Sequence, residues 1–159
     1  MIRVLFVCLG NICRSPMAEA IFRDLVQKEG LSHLIEVDSA GTGDWHIDKP
    51  PHEGTRKLLT ENSISHTGIR ARQVESNDLT EFHYVIAMDA KNLQDLQKLG
   101  KAGGYLGRLS DFVPDSSWED VPDPYYTGNF QETYELVADG CRGLLAYIRK
   151  KHGISSIQK

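Results

Sequence analysis

Residues 2–8, Ile2-Arg3-Val4-Leu5-Phe6-Val7-Cys8, form a near-continuous apolar run rich in β-branched side chains. A strand half exposed to water would alternate apolar and polar residues. A run apolar on both faces must be covered on both sides, as in a parallel sheet between helices. Leu9 to Arg14 then breaks the pattern with Gly10 and Asn11, and Ser15-Pro16 reads as a helix start with Glu19 in its first turn. Met17, Ile21 and Leu25, with Ala18 and Phe22, carry helical spacing up to Gly30.

The alternation repeats along the chain. Strands are predicted at Ile35–Ala40, Tyr84–Met88 and, more weakly, Tyr105–Leu109. Helices are predicted at Glu53–Glu61, at a short turn over Leu79–Phe82 after Asn77-Asp78, at Asp89–Leu99 and at Phe130–Lys151. In the last of these Tyr134, Val137, Cys141, Leu144, Leu145 and Ile148 share one face. Residues 41–51, carrying Trp45, and residues 111–128, with Pro114, Pro122 and Pro124, read as loops. Strands alternating with helices imply an α/β fold with right-handed crossovers, and ligands in such folds bind beyond the carboxyl ends of the strands. The 159 residues fit one domain, residues 1–159, without linker or repeat.

Net charge is −4, so a general nucleic-acid binder is disfavoured, and any bound anion must be held by a local arrangement. No apolar run reaches the length of a membrane span, and Val4–Leu9 is too short for the apolar region of a secretory signal. Three cysteines, Cys8, Cys13 and Cys141, make no disulfide framework and suit a reducing compartment; a cytoplasmic protein is expected.

The segment Cys8-Leu9-Gly10-Asn11-Ile12-Cys13-Arg14-Ser15 carries the chemistry. A cysteine ends a buried strand, and an arginine six positions on opens a helix. If the loop curls, its backbone N–H groups and the positive helix end converge on one point. Arg14 adds a planar fork suited to phosphate oxygens. The product is a nucleophile at the bottom of an oxyanion cradle. Either residue alone would read as ordinary, Cys8 as a small buried hydrophobe and Arg14 as a solvated side chain; together, at this spacing, they read as catalytic.

Cys-Leu-Gly-Asn-Ile-Cys-Arg-Ser-Pro resembles the signature loop of the low-molecular-weight protein tyrosine phosphatases. The resemblance continues through Asp38-Ser39-Ala40-Gly41-Thr42, Trp45, Ala71-Arg72-Gln73, Ala87-Met88-Asp89 and Asp123-Pro124-Tyr125-Tyr126. It implies a three-layer α/β fold of flavodoxin-like type: a four-stranded parallel sheet, order 2-1-3-4, flanked by helices. It also implies no metal and no organic cofactor. Cys8 would attack phosphorus and form a thiophosphate intermediate. Arg14 and the amides of the loop, Leu9, Gly10, Asn11, Ile12 and Cys13 among its residues, would hold the phosphate. Ser15 would hydrogen-bond the Cys8 sulfur, Asn11 would brace the loop from a left-handed conformation, and Asp123 would be the general acid. Where some members place a histidine that supports the asparagine, Ile69 stands, so the sequence leaves the brace of Asn11 open.

The need for an acid stands apart from the resemblance, because a phenolate leaves poorly without a proton. The polar loop offers Asp111, Asp115, Glu119, Asp120 and Asp123. Asp123 is favoured by the flanking prolines and the two aromatics that follow, although the residues alone leave Asp-Pro readable as a plain turn. Trp45, Tyr125 and Tyr126, with Leu9 and Ile12, form a candidate slot for an aromatic ring; partial burial of Trp45 is the alternative. His46, beside Trp45, is a weaker candidate for lining the slot and reads better as a solvated loop residue. Cys13, five positions from Cys8, is a candidate redox partner that would capture an oxidised Cys8 as a disulfide, and the resemblance implies the same. Cys141 reads as core.

The expected partners are tyrosine-phosphorylated proteins, with neither nucleic acid nor membrane, and the expected state is a monomer. Three rival functions share the cradle. An arsenate reductase needs further cysteines, and none lies between Ser15 and Gly140. A phosphoarginine phosphatase would carry threonine where Ile12 stands. A non-catalytic phosphotyrosine-binding module would need neither Cys8 nor Asp123.

Overall fold

The computed structural model describes residues 1–113 and 118–154. Strands β1 (Ile2–Cys8), β2 (Ile35–Gly41), β3 (Tyr84–Ala87) and β4 (Tyr105–Arg108) form one parallel sheet in the order β2-β1-β3-β4. Central β1 pairs with β2 from Ile2 opposite Ile35 to Cys8 opposite Gly41, and with β3 from Val4 opposite Tyr84 to Val7 opposite Ala87.

The period of two explains why β1 is apolar throughout. Val4, Phe6 and Cys8 point into one core, and Leu5 and Val7 into another. The first core is closed by α1 (Arg14–Lys28) and α6 (Phe130–Lys151), which supply Met17, Ile21 and Phe22 and then Val137, Cys141, Leu144 and Ile148. Phe6 and Phe22 meet edge to face at 5.6 Å. The second core takes Leu79 of α3 (Asp78–Glu81) and Leu96 of α4 (Ala90–Leu99). The remaining helix, α2 (Glu53–Glu61), sends Leu59 into the first core. Three layers result, as the sequence implied. Among the described residues no helix is long and apolar enough to cross a membrane.

Three local expectations are corrected. The helix α1 begins at Arg14, before Ser15-Pro16, which puts Glu19 beyond the first turn and buries it. Asp89 is the cap of α4, not its first residue; its carboxylate accepts the Asn92 N–H at 2.8 Å. Residues 111–128 are not all loop: a 3-10 turn spans Leu109–Phe112 and a short α5 spans Pro124–Thr127. Pro114 and Asp115 lie outside the described residues.

The strand order reverses between β1 and β3, and the crevice beyond their carboxyl ends is where a parallel α/β sheet leaves room for a ligand. Cys8 sits at the end of β1, and Asp89 follows β3.

Candidate active site

Between Cys8 and Arg14 the chain curls tightly enough to place Asn11 at φ 57°, a left-handed conformation that asparagine tolerates. The Asn11 N–H donates to Cys8 Sγ at 3.3 Å, and Ser15 Oγ lies 3.0 Å from the same sulfur. Asn11 Nδ2 donates to Ser15 Oγ at 2.7 Å, so that hydroxyl keeps its own proton free for the sulfur.

The brace that the sequence left open is now visible. Asn11 Nδ2 also donates to Ser39 Oγ at 3.0 Å, and Asn11 Oδ1 accepts the Arg72 backbone N–H at 2.9 Å. Ser39 in turn donates to Glu19 Oε1 at 2.6 Å. No histidine is needed at position 69; Ile69 is buried in the first core. Gly41 permits the approach of the loop to β2, since a Cβ there would lie 2.9 Å from the Leu9 carbonyl oxygen and 3.1 Å from Asn11 Cβ.

The Arg14 guanidinium is buried. One terminal nitrogen donates to Asp89 Oδ2 at 2.6 Å and to the Val121 carbonyl at 2.9 Å; the other lies 3.4 Å from Asp123 Oδ2. Burial would lower its pKa, but Cys8, Asp89 and Asp123 outweigh that and hold it above the ordinary arginine value. Arg14 Nε has no hydrogen-bond partner among the described residues.

Asp123 reaches the cradle from a remote segment that is itself anchored. The Val121 N–H donates to the Met88 carbonyl at 2.9 Å, and Thr133 Oγ1 donates to the Pro122 carbonyl at 3.2 Å. Asp123 caps α5 by accepting the Tyr125 N–H at 3.1 Å, with Pro124 at the first helical position and Gly128 in a left-handed turn at the end. The other described carboxylates of this stretch are engaged elsewhere. Asp111 accepts from the Tyr105 hydroxyl, Asp120 accepts the Ala90 N–H and pairs with Arg108, and Glu119 faces Arg108 at 3.9 Å.

A slot of about 330 Å³ opens over Cys8. Leu9, Gly10, Ile12 and Cys13 form its loop side; Trp45 and His46 wall it from the connection after β2; Asp123, Tyr125 and Tyr126 close the far side. Trp45, Tyr125 and Tyr126 therefore stand where the slot reading puts them, and all three are exposed. His46 is a correction: it is half-buried and faces Tyr125 with ring centroids 6.4 Å apart. Burial, then the charges of Cys8 and Asp123, push the Cys13 thiol up to about 12. Cys141 is fully buried on α6.

The sequence alone assigns no role to Asp89, Ser39 or Glu19. Asp89 is legible as a helix cap, but a cap uses one carboxylate oxygen, and nothing local shows that the other holds Arg14. Ser39 lies within one of the motifs that carry the resemblance, and its contact with Asn11 spans 28 positions.

A cysteine sulfur ringed by donors, a buried arginine and a facing aspartate at the switch point of a parallel sheet define a cysteine-dependent phosphoryl-transfer site. The comparisons with known proteins agree. Residues 3–154 match the model of the family described as low molecular weight phosphotyrosine protein phosphatase. The low molecular weight protein-tyrosine-phosphatase YfkJ of Bacillus subtilis is 58% identical over 153 residues, covering 95% of this chain and 98% of that protein. The corresponding PtpA of Staphylococcus aureus is 44% identical, covering 94% of this chain and 96% of that one. The crystal structure of YfkJ superposes with a TM-score of 0.92 at 57% identity, covering 95% and 96% of the two chains. A protein tyrosine phosphatase from Entamoeba histolytica superposes at 0.87 with 31% identity, covering 94% and 97%. The chain belongs to the low-molecular-weight phosphotyrosine protein phosphatase family, and it is a protein-tyrosine phosphatase.

Proposed function

We propose that residues 1–159 form a single phosphatase domain that hydrolyses phosphotyrosine in proteins through Cys8, Arg14 and Asp123. One observation carries the assignment of roles: Ser15 and the Asn11 N–H meet the Cys8 sulfur, the Arg14 charge interacts with it, and Asp123 alone of the described carboxylates in residues 111–123 lines the slot above it. Cys8 Sγ attacks phosphorus opposite the aryl oxygen. The P–O bond breaks, and Asp123 gives its proton to the departing phenolate. Asp123 then takes a proton from water as that water attacks phosphorus. The S–P bond breaks, inorganic phosphate leaves, and the Ser15 hydroxyl stabilises the released sulfur. Arg14 and the loop amides hold the equatorial oxygens throughout. An unsatisfied buried donor such as Arg14 Nε costs about 1–3 kcal/mol, and a phosphoryl oxygen would satisfy it. Ile12 presents an apolar edge suited to the tyrosine ring, which favours phosphotyrosine over phosphoarginine.

Cys8→Ser is expected to abolish turnover of p-nitrophenyl phosphate while retaining the fold and the binding of inorganic phosphate. Turnover surviving in that variant, or lost from the native enzyme on adding EDTA, would overturn these roles.

The same reading includes a redox response. Cys8 and Cys13 are both free and both line the slot, and the cysteine usage suits a reducing, cytoplasmic setting. Peroxide oxidises the Cys8 sulfur to the sulfenic acid. The Cys13 sulfur then attacks it, releasing water and forming a disulfide that thiols reduce. Native enzyme is expected to regain activity after mild peroxide and then dithiothreitol, and Cys13→Ser to regain much less. Equal recovery would reduce Cys13 to packing.

A further inference from the structure

A second groove, of about 350 Å³, runs along the outer side of Trp45. It shares Leu9 and Trp45 with the catalytic slot. Thr42, Gly43, Gln73 and Val74 form its floor, and Lys91, Asp95 and Leu99 form its far wall. Those three positions are four apart, so they make one stripe along α4. We propose that this groove is a substrate subsite, receiving an apolar side chain two residues from the phosphotyrosine in the polypeptide being dephosphorylated; the proposal rests on the phosphotyrosine reading of the neighbouring slot.

Three observations support it. First, the two cavities are continuous in their walls. Trp45 and Leu9 line both, and in an extended chain residues i and i+2 point to the same face about 6.6 Å apart. A peptide with its phosphotyrosine in the slot can therefore set that neighbour in the groove. Second, Trp45 is held as a partition. Its ring lies flat over Gly43, where a Cβ would come within 2.2 Å of Cζ3, yet the residue stays 64% exposed. Trp45, Leu99, Tyr125 and Tyr126 are all large apolar residues left exposed, and all four border the slot or the groove. Such clustering marks a binding surface, and a tryptophan at its centre is a common anchor. Third, the charges on the rim cancel. Lys91 Nζ lies 2.7 Å from Asp95 Oδ1, so the ammonium is already paired and an acidic neighbour gains little there. Leu9, Val74, Leu99 and Trp45 remain, and they favour an apolar side chain.

The test uses phosphotyrosine peptides with leucine or alanine at the positions two before and two after the phosphotyrosine, and reads kcat/KM, which reports steps up to phosphoryl transfer to the enzyme. Native enzyme is expected to prefer leucine at one of these positions about fivefold, the scale of partial burial of one leucine side chain. Leu99→Asp is expected to erase the preference and leave kcat/KM for p-nitrophenyl phosphate unchanged. Should Leu99→Asp lose both activities, Leu99→Ala decides: it is expected to reduce the preference at least twofold with p-nitrophenyl phosphate turnover intact. No preference in the native enzyme, or a preference that survives these variants, overturns the subsite. Failure of the native enzyme to cleave p-nitrophenyl phosphate would instead overturn the reading of the slot.

Discussion

The two halves of the site are built on opposite plans. The cradle comes from eight consecutive residues, and the side chains that define it, Cys8, Asn11, Arg14 and Ser15, are buried to within 2% exposure. Their polar atoms bond almost wholly to other protein groups. The acid segment is assembled at a distance, with Asp123 part-exposed and Tyr125 and Tyr126 at 54% and 73% exposure. A group that stabilises developing charge acts best when fixed beforehand and shielded from water. A group that gives up a proton and regains it must keep access to water. On the proposed roles, the cradle is buried because of what it would stabilise, and Asp123 is accessible because of what it would exchange.

The sharpest way to break this contrast is at the acid. Asp123→Asn keeps the shape and removes the proton, so single-turnover phosphorylation of the enzyme by phosphotyrosine is expected to slow by about 10²- to 10⁴-fold. An aryl phosphate with a strongly electron-withdrawing leaving group needs less help and should lose much less. Asp120→Asn should do little, since Asp120 holds Ala90 and Arg108. A uniform loss across a leaving-group series would mean that Asp123 merely positions its segment.

The cradle can be loosened without touching the reacting atoms. Ser39→Ala removes a partner from Asn11 and leaves the buried Glu19 carboxyl without its donor. A loss of about 1–3 kcal/mol in unfolding free energy is expected. A fall of roughly tenfold in kcat/KM should accompany it, for activated and unactivated substrates alike, since phosphate binding rather than proton transfer is affected. A loss graded by leaving group would contradict the division of labour between the two halves.

The last test concerns Glu19, behind the cradle, and is read in stability rather than in turnover. Burial is the main reason its carboxyl is pushed up to about 7; the Ser39 hydrogen bond opposes this, Asp38 adds to it, and Arg23 and Arg72 oppose it. A carboxyl raised above its unfolded value binds its proton more tightly in the folded chain, so its contribution to stability is greatest in acid. That contribution falls as pH rises from about 4.5 through 7, by an amount on the order of 3 kcal/mol. Glu19→Gln mimics the protonated form and still accepts from Ser39. Relative to the native protein, it is expected to be gaining stability between pH 5 and pH 8 in urea unfolding. A difference independent of pH would place the proton elsewhere.

Much of the architecture was legible because the pattern that specifies it is local. An apolar run covered on both faces predicts β1, a shared apolar face predicts α6, and both, like the helix expected at Glu53–Glu61, have the observed bounds. The 3-10 turn at Leu109–Phe112 and the short α5 escape such a reading. Each is four residues long, too short to show a period, and Asp123-Pro124 reads equally well as a plain turn. The neighbouring Trp45 offers His46 as a slot residue, but solvation is the preferred reading because nothing local shows that Tyr125, 79 positions on, stands across the slot.

What the sequence determined alone is whatever depends on neighbours along the chain: a buried strand running into a loop that starts a helix, and hence a sulfur, converging amides and an arginine in one contiguous stretch. What only the tertiary structure decided is which distant groups complete them. Asp89 holds Arg14 across 75 positions, Arg72 braces Asn11 through a backbone N–H 61 positions away, and Asp123 approaches Arg14 from 109 positions on. The physical reason is that hydrogen bonds and charge pairs act over a few ångströms in space, and only the folded sheet, with its strand order reversed beside β1, brings those groups within that range.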